Sequence, residues 1–137
     1  KELKMEKVAT VRLENINHIG KNTLFDTNVE YLEVIGAVAI ERRAFNNNEQ
    51  LKSVTFENVK RISANVLDGC NNLVFLRVYN DGLESDIDNA AFNGIPTENI
   101  TLCLSVVEFQ NADILRKIWN NKKWYQILKI TGNDANE

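Results

Sequence analysis

Few residues in this chain are of the types that build catalytic or metal sites. Its 137 residues include one histidine, His18, and two cysteines, Cys70 and Cys103, which lie far apart. A nucleophile-base pair or a Cys/His zinc site needs several such side chains at close spacing. The sequence therefore predicts no catalytic residue, no metal site, no cofactor and no enzymatic activity. We interpret His18 as a solvent-facing residue and the cysteines as two small buried or half-buried thiols.

Long apolar runs and an excess of positive charge are also missing. No window approaches the roughly 20 consecutive apolar residues that a membrane helix requires. The net charge is −3, and lysines and arginines are scattered along the chain. A nucleic-acid-binding domain instead concentrates positive charge on one face. We therefore expect neither membrane insertion of this segment nor a nucleic-acid partner.

The chain contains an internal repeat. Residues 54–62 read VTFENVKRI, and residues 11–19 read VRLENINHI. Apolar residues occupy the same four places in both copies, and the Glu-Asn pair is identical. Self-similarity at a short period is typical of stacked units that share a continuous core.

Each unit combines a strand with a short turn. Strict alternation, as in Val54 and Phe56, predicts a half-buried strand. We expect each turn to place one large apolar residue inward, and the equivalent residues in successive units are Phe25, Phe45, Leu67 and Phe92. Their spacings of 20, 22 and 25 residues fall in the range of about 20–29 that leucine-rich repeats use.

Stacking of the units predicts which side chains line the core. One inward ladder is expected to contain Val11, Val34, Val54, Leu76 and Ile100. A second is expected to contain Leu13, Phe56, Val78 and Leu102. The two-residue period of a strand places the intervening residues on the outward face.

These patterns predict an α/β repeat fold, a short right-handed leucine-rich-repeat solenoid. A parallel sheet would form one face, with short helical turns and loops on the other. We expect one domain over residues 1–137, with repeats at about 8–104 and a C-terminal helical cap at about 105–130. Because Val8 already lies in mid-pattern, we also expect the chain to be part of a longer protein.

The units resemble the BspA-type leucine-rich repeat over roughly residues 8–104. The family pattern is an Ile, then Ala-Phe, a polar turn with Cys or Asn, Leu-x-x-Val-x-Phe or Leu, and Val-x-x-Ile. The matching residues are Ile40, Ala44, Phe45, Leu51, Val54, Phe56, Val59, Ile62, Val66, Leu67, Cys70, Leu73, Leu76, Val78, Ile87, Ala91 and Phe92.

The resemblance implies a bacterial surface or secreted protein with a binding or adhesion role. Its partner would be a protein or a glycan, and its location would be extracellular or at the cell surface. A different function also fits the repeat, that of a structural spacer or self-assembly element without a small-molecule ligand. The oligomeric state stays open.

The outward face of the sheet is the predicted binding surface, because repeat proteins bind ligands on such faces. Phe75, Arg77 and Tyr79 are of the residue types that dominate interface hot spots. The candidate ligand-binding residues are Arg12, Thr55, Glu57, Phe75, Arg77 and Tyr79. Alternatively, Phe75 and Tyr79 only cover the sheet. Trp119 and Trp124 present a similar choice, between filling the cap and stacking on carbohydrate.

Two segments of the chain, residues 79–89 and the turn after Phe45, are rich in polar residues. Asp81, Glu84, Asp86 and Asp88 crowd residues 79–89, and a calcium site would use oxygen ligands at such close spacing. We favour a solvated acidic loop over a calcium site. In the polar turn after Phe45, Asn47 is expected to tolerate alanine.

Overall fold

The computed structural model describes residues 10–79, 86–88, 90–96 and 100–104, and these residues form two parallel sheets joined by turns. The five-stranded main sheet has the order β1-β3-β5-β7-β9, and the four-stranded second sheet has the order β2-β4-β6-β8. The main-sheet strands are Thr10–Glu14 (β1), Tyr31–Ile35 (β3), Ser53–Glu57 (β5), Phe75–Tyr79 (β7) and Thr101–Leu104 (β9). The second-sheet strands are His18–Ile19 (β2), Ala39–Ile40 (β4), Arg61–Ile62 (β6) and Asp86–Ile87 (β8).

The core lies between the two sheets and is continuous from unit to unit. In β5 and β7, buried and half-buried residues alternate, as the strand period requires. The apolar residues of the turns and of the second sheet close the core from the other sides. Phe45, Phe56 and Phe92 are its largest buried side chains. This arrangement confirms the predicted parallel-sheet solenoid.

The register between β1, β3 and β5 differs from the predicted one. Leu32, not Val34, lies between Val11 and Val54, and Val34 pairs with Leu13 and Phe56. The expected ladder was therefore displaced by two residues at β3. Ile100 was also misplaced, because Leu102 pairs with Leu76 and Ile100 lies buried just before β9.

A left-handed residue directly follows β1, β3 and β5, and its position explains the register at β3. Gly36 has a φ of 81°, and Asn15 and Asn58 have φ values of 56° and 55°. Glycine and asparagine are the residues that adopt this backbone most readily. Gly36 therefore matches Asn15 and Asn58 at the turn. The prediction was wrong because it matched Gly36 with Leu13 and Phe56 inside the strand.

The first turn also differs from the prediction, because Phe25 points outward. Its side chain is 67% exposed, whereas Leu24 packs against the core. Asn22 N–H donates to Arg43 C=O at 3.2 Å, so Asn22 and Arg43 are neighbours in adjacent turns. Leu24 is consequently the counterpart of Phe45. The predicted equivalence of Phe25 and Phe45 was wrong by one residue.

The second sheet was not predicted, and the predicted helical turns are absent from the described residues. The turns at residues 21–26, 42–47 and 64–69 are hydrogen-bonded turns without helix. Accordingly, the described part of the chain has no helix that could span a membrane. The predicted cap at 105–130, with Trp119 and Trp124, and the acidic residues Asp81 and Glu84 lie outside the described residues.

Side chains at one repeat position, Thr27, Asn48 and Cys70, hydrogen-bond to turn carbonyl groups, and Cys70 does so across two neighbouring turns. Asn48 Nδ2 donates to Phe45 C=O at 2.9 Å, and Cys70 Sγ, one unit later, approaches the same oxygen at 3.2 Å. In the first unit, Thr27 Oγ1 donates to Leu24 C=O at 2.8 Å. The bonds to the Phe45 carbonyl group are buried, so Asn48 and Cys70 give a partner to a backbone oxygen that water does not reach.

Burial of Cys70 predicts a loss of stability at alkaline pH. Desolvation raises the pKa of its thiol from 9.0 to about 11. The unfolded chain ionises near pH 9, while the folded thiol stays neutral, so folding is penalised as pH rises from 9 to 11. This difference amounts to about 2–3 kcal/mol. The free energy of unfolding should therefore fall more steeply over this range in the wild type than in Cys70→Ala. Parallel pH profiles for the two proteins would contradict the assignment.

Candidate functional site

Three rows of side chains form the outward face of the main sheet. The first row contains Thr10, Tyr31, Ser53, Phe75 and Thr101. The second contains Arg12, Glu33, Thr55 and Arg77. The third contains Glu14, Ile35, Glu57 and Tyr79. Each row crosses the strands at right angles, so neighbours in a row come from successive repeats.

The β7 cluster, which we define as Phe75, Arg77 and Tyr79, places three large side chains on this face. All three are half-buried. The Arg77 guanidinium carbon lies over the Tyr79 ring, 5.0 Å from its centroid. A cation at this distance from a ring is attracted to its face. The pair therefore holds the arginine against the sheet and presents a joint polar and aromatic surface.

Residues of β5 form the surroundings of the β7 cluster. Ser53, Thr55 and Glu57 are the direct strand partners of Phe75, Arg77 and Tyr79, respectively. Ser53 and Thr55 have short side chains, so the larger β7 side chains project further from the sheet than they do. The structure thus brings together five of the six predicted site residues, namely Thr55, Glu57 and the β7 cluster.

The sixth predicted residue, Arg12, lies apart from the others. Arg12 and Arg77 share a row, but β3 and β5 lie between their strands. Strand spacing places them about 14 Å apart across the sheet. Arg12 Nε is 2.6 Å from Glu14 Oε2 and 3.7 Å from Glu33 Oε1. The positive charge of Arg12 is therefore partly neutralised by these two carboxylates, which lie on β1 and β3.

Tyr31 belongs to the same surface and was missed in the sequence. It is 44% exposed and occupies the row of Phe75, with Ser53 between them. Tyr31 and Phe75 are two strand spacings apart, about 10 Å, and the short side chain of Ser53 lies between them. The predicted ladder aligned Val34 with Val54, and this alignment would place Glu33 in the row of Ser53 and Phe75. Matching Gly36 with Asn15 and Asn58 would have identified Tyr31.

Described polar residues outside this face, including His18 and Asp88, form local contacts. His18 Nδ1 lies 2.9 Å from Glu41 Oε2, with both side chains exposed. Arg61 fills the equivalent place two units later, as predicted. Asp88 Oδ1 accepts the Ala90 N–H at 2.8 Å and so supports the next turn. Within the described ranges, no three His, Cys, Asp or Glu side chains are grouped to hold a metal ion.

Comparison with known proteins supports the repeat assignment directly. No curated protein and no solved structure matches this chain. The family model for the BspA type leucine rich repeat region matches residues 4–101, with six copies. The matched region includes eight of the nine strands, and the first four strands of the main sheet repeat in register. We conclude that the chain belongs to the BspA-type leucine-rich repeat family.

Proposed function

We propose that this protein is a non-catalytic binding or adhesion module that recognises a protein or a glycan through the outward face of the main sheet. The observation that carries the proposal is the β7 cluster, in which Arg77 stacks on Tyr79 beside Phe75. Aromatic residues and arginine contribute most of the binding energy in many interfaces. Tyr31 extends this surface toward the first repeats.

The sheet also prepares this surface for binding. The side chains project from strands that are hydrogen-bonded on both sides, since β7 lies between β5 and β9. Their backbone is therefore ordered before a partner arrives. Binding then loses less conformational entropy than it would on a mobile loop. A flat ligand such as a sugar ring, or an extended peptide, fits such a face better than a small metabolite.

Family membership supports the proposed location. BspA-type repeats are usually found in bacterial surface or secreted proteins. A binding module on an extracellular or cell-surface protein would meet extracellular proteins and glycans directly. We accordingly propose this location for the protein, with no cofactor needed for binding.

The proposal is tested by replacing the β7 cluster with threonine. Phe75→Thr, Arg77→Thr and Tyr79→Thr remove the aromatic rings and the charge but keep strand-forming residues. Wild type and variant are compared on a glycan array and in pull-downs of extracellular proteins. The triple variant should lose at least about tenfold in affinity, which corresponds to about 1.4 kcal/mol.

The matched control is Lys60→Thr with Arg61→Thr. Both residues are exposed; Lys60 directly precedes β6, and Arg61 is its first residue. This variant should bind as the wild type does. Circular dichroism and thermal melting establish that both variants fold. Undiminished binding by a folded triple variant would reject the site.

A second function is favoured by the edge of the main sheet. Within the described residues, β1 pairs only with β3 and so leaves one edge without a strand. Such an edge can template pairing with another chain. The protein would then act as a structural spacer that assembles end to end. Light scattering separates the two functions, because a mass independent of concentration argues against self-assembly.

A further inference from the structure

We infer that a shallow groove on the turn side of the solenoid, lined by Lys21, Arg42 and Arg43, binds an oxyanion group, a sulfate or a phosphate. The groove has a volume of about 270 Å³. It lies where the first two turns adjoin, at residues 21–26 and 42–47. These turns are hydrogen-bonded between Asn22 N–H and Arg43 C=O at 3.2 Å. We call this feature the basic groove.

The basic groove is positively charged, although the protein as a whole carries a net negative charge. The protein has a net charge of −3, yet three cationic side chains line this one groove. The nearest carboxylate in sequence, Glu41, pairs with His18 at 2.9 Å. No carboxylate in the described ranges forms an ion pair with the three cations. A bound anion would relieve their mutual repulsion.

The backbone of Arg43 supports a role for its side chain. Arg43 has a left-handed φ of 58°. The equivalent residues of the neighbouring units are Asn22 and Asn65, with φ values of 64° and 58°. Asparagine tolerates this backbone better than arginine does. The second unit thus accepts a less favourable residue at this position, and that residue contributes a guanidinium group to the groove.

The geometry favours a single oxyanion group over a long polyanion. Arginine presents a planar fork of donors that matches phosphate and sulfate oxygens. Lys21 and Arg42 occupy the same place in successive turns, and the third unit has Ala64 there. The column of positive charge therefore ends after two units. A nucleic acid would need a longer basic track.

The test is a titration followed by amide chemical shifts and thermal melting. Wild-type protein is titrated with sodium sulfate and with sodium phosphate, each against sodium chloride at equal ionic strength. We expect saturable shifts at residues 20–23 and 41–44. The key variant is Arg43→Asn, which introduces the residue already used in the adjacent units. It should fold well and should bind the anion about tenfold more weakly.

Lys60→Ala serves as the control, because Lys60 is an exposed cation outside the groove. It should bind as the wild type does. Sulfate stabilises most proteins by exclusion from their surface, so a melting shift that is equal in wild type and Arg43→Asn would overturn the inference. Shifts that spread over the whole surface, or that are as large in Arg43→Asn as in the wild type, would also overturn it.

A second experiment with a sulfated polymer shows whether the groove binds a free anion or a sulfate group carried by a polysaccharide. Dextran sulfate and uncharged dextran are compared on the same three proteins. Binding of the free ion and the polymer, each reduced in Arg43→Asn, indicates a site for the group itself. Binding of dextran sulfate alone, with the same dependence on Arg43, indicates a group presented on a polysaccharide. Binding of neither, or equal binding by Arg43→Asn, would refute the site.

Discussion

Replacing Phe45 with alanine is expected to lower the free energy of unfolding by about 3–5 kcal/mol, the cost of a large cavity in a packed core. Phe45 is completely buried, and its ring stacks on Phe56 with a centroid separation of 6.3 Å. The stack joins a turn to the main sheet, so the cavity would lie between two elements that hydrogen bonds keep in place. They can close it only in part. Urea unfolding monitored by circular dichroism measures the change.

The control for Phe45 is Phe25→Ala in the preceding turn. Because Phe25 is 67% exposed, its removal should change stability by less than about 0.5 kcal/mol. The two phenylalanines test how the first turn aligns with the second, since the sequence pattern pairs Leu24-Phe25 with Ala44-Phe45. Equal costs for both substitutions would contradict the structure of the first turn.

Replacing Gly69 with alanine is the second substitution with a large expected effect, about 2–4 kcal/mol. Gly69 has a φ of 84°, a backbone that residues with a Cβ rarely adopt. A Cβ here would overlap the Asn47 side-chain oxygen and come within 3.2 Å of Asn47 Cα. Backbone strain and the steric clash therefore add. Thermal and urea unfolding should both register the loss.

A double-mutant cycle separates the two causes. In an Asn47→Gly background, the side-chain oxygen is gone and only the 3.2 Å approach to the Cα at position 47 remains. Gly69→Ala should then cost mainly the backbone strain of about 1–2 kcal/mol. If Gly69→Ala costs the same in both backgrounds, the contact between the turns is not formed as described.

Asn47 itself behaves differently from the expectation based on sequence. Its φ of 60° places it in the left-handed region, in the same column as Gly69 and Gly94. Alanine at position 47 should therefore cost about 1 kcal/mol rather than nothing. A polar turn in the sequence indicates solvent exposure, but it does not reveal the backbone conformation that a residue must adopt.

The inward and outward alternation within each strand could be predicted because it is a local property of the chain. Successive side chains of a strand point to opposite faces whatever the strand pairs with. Val54 and Phe56 were thus placed correctly in the core, and Phe75, Arg77 and Tyr79 on the outer face. The repeat period was enough to predict stacked units and a parallel sheet.

The register between units could not be predicted from the same pattern. It depends on where in the repeat the shorter unit lacks a residue. The first unit is shorter than the next, and the alternation allows two alignments that keep apolar residues inside. The choice is made by backbone hydrogen bonds and by the left-handed residues at the strand ends, Asn15, Gly36 and Asn58. This choice moved Tyr31 into the row of Phe75.

Repeat period and strand alternation are enough to identify stacked units with aromatic residues and arginine on the outer face of one strand. Which residues of different repeats lie side by side depends on how the units pack in three dimensions. Tyr31 joins Phe75 across Ser53, Arg12 lies apart from the β7 cluster, and Lys21 meets Arg42 and Arg43 in one groove. The physical reason is that both surfaces are built across units, where contacts depend on strand register and turn stacking.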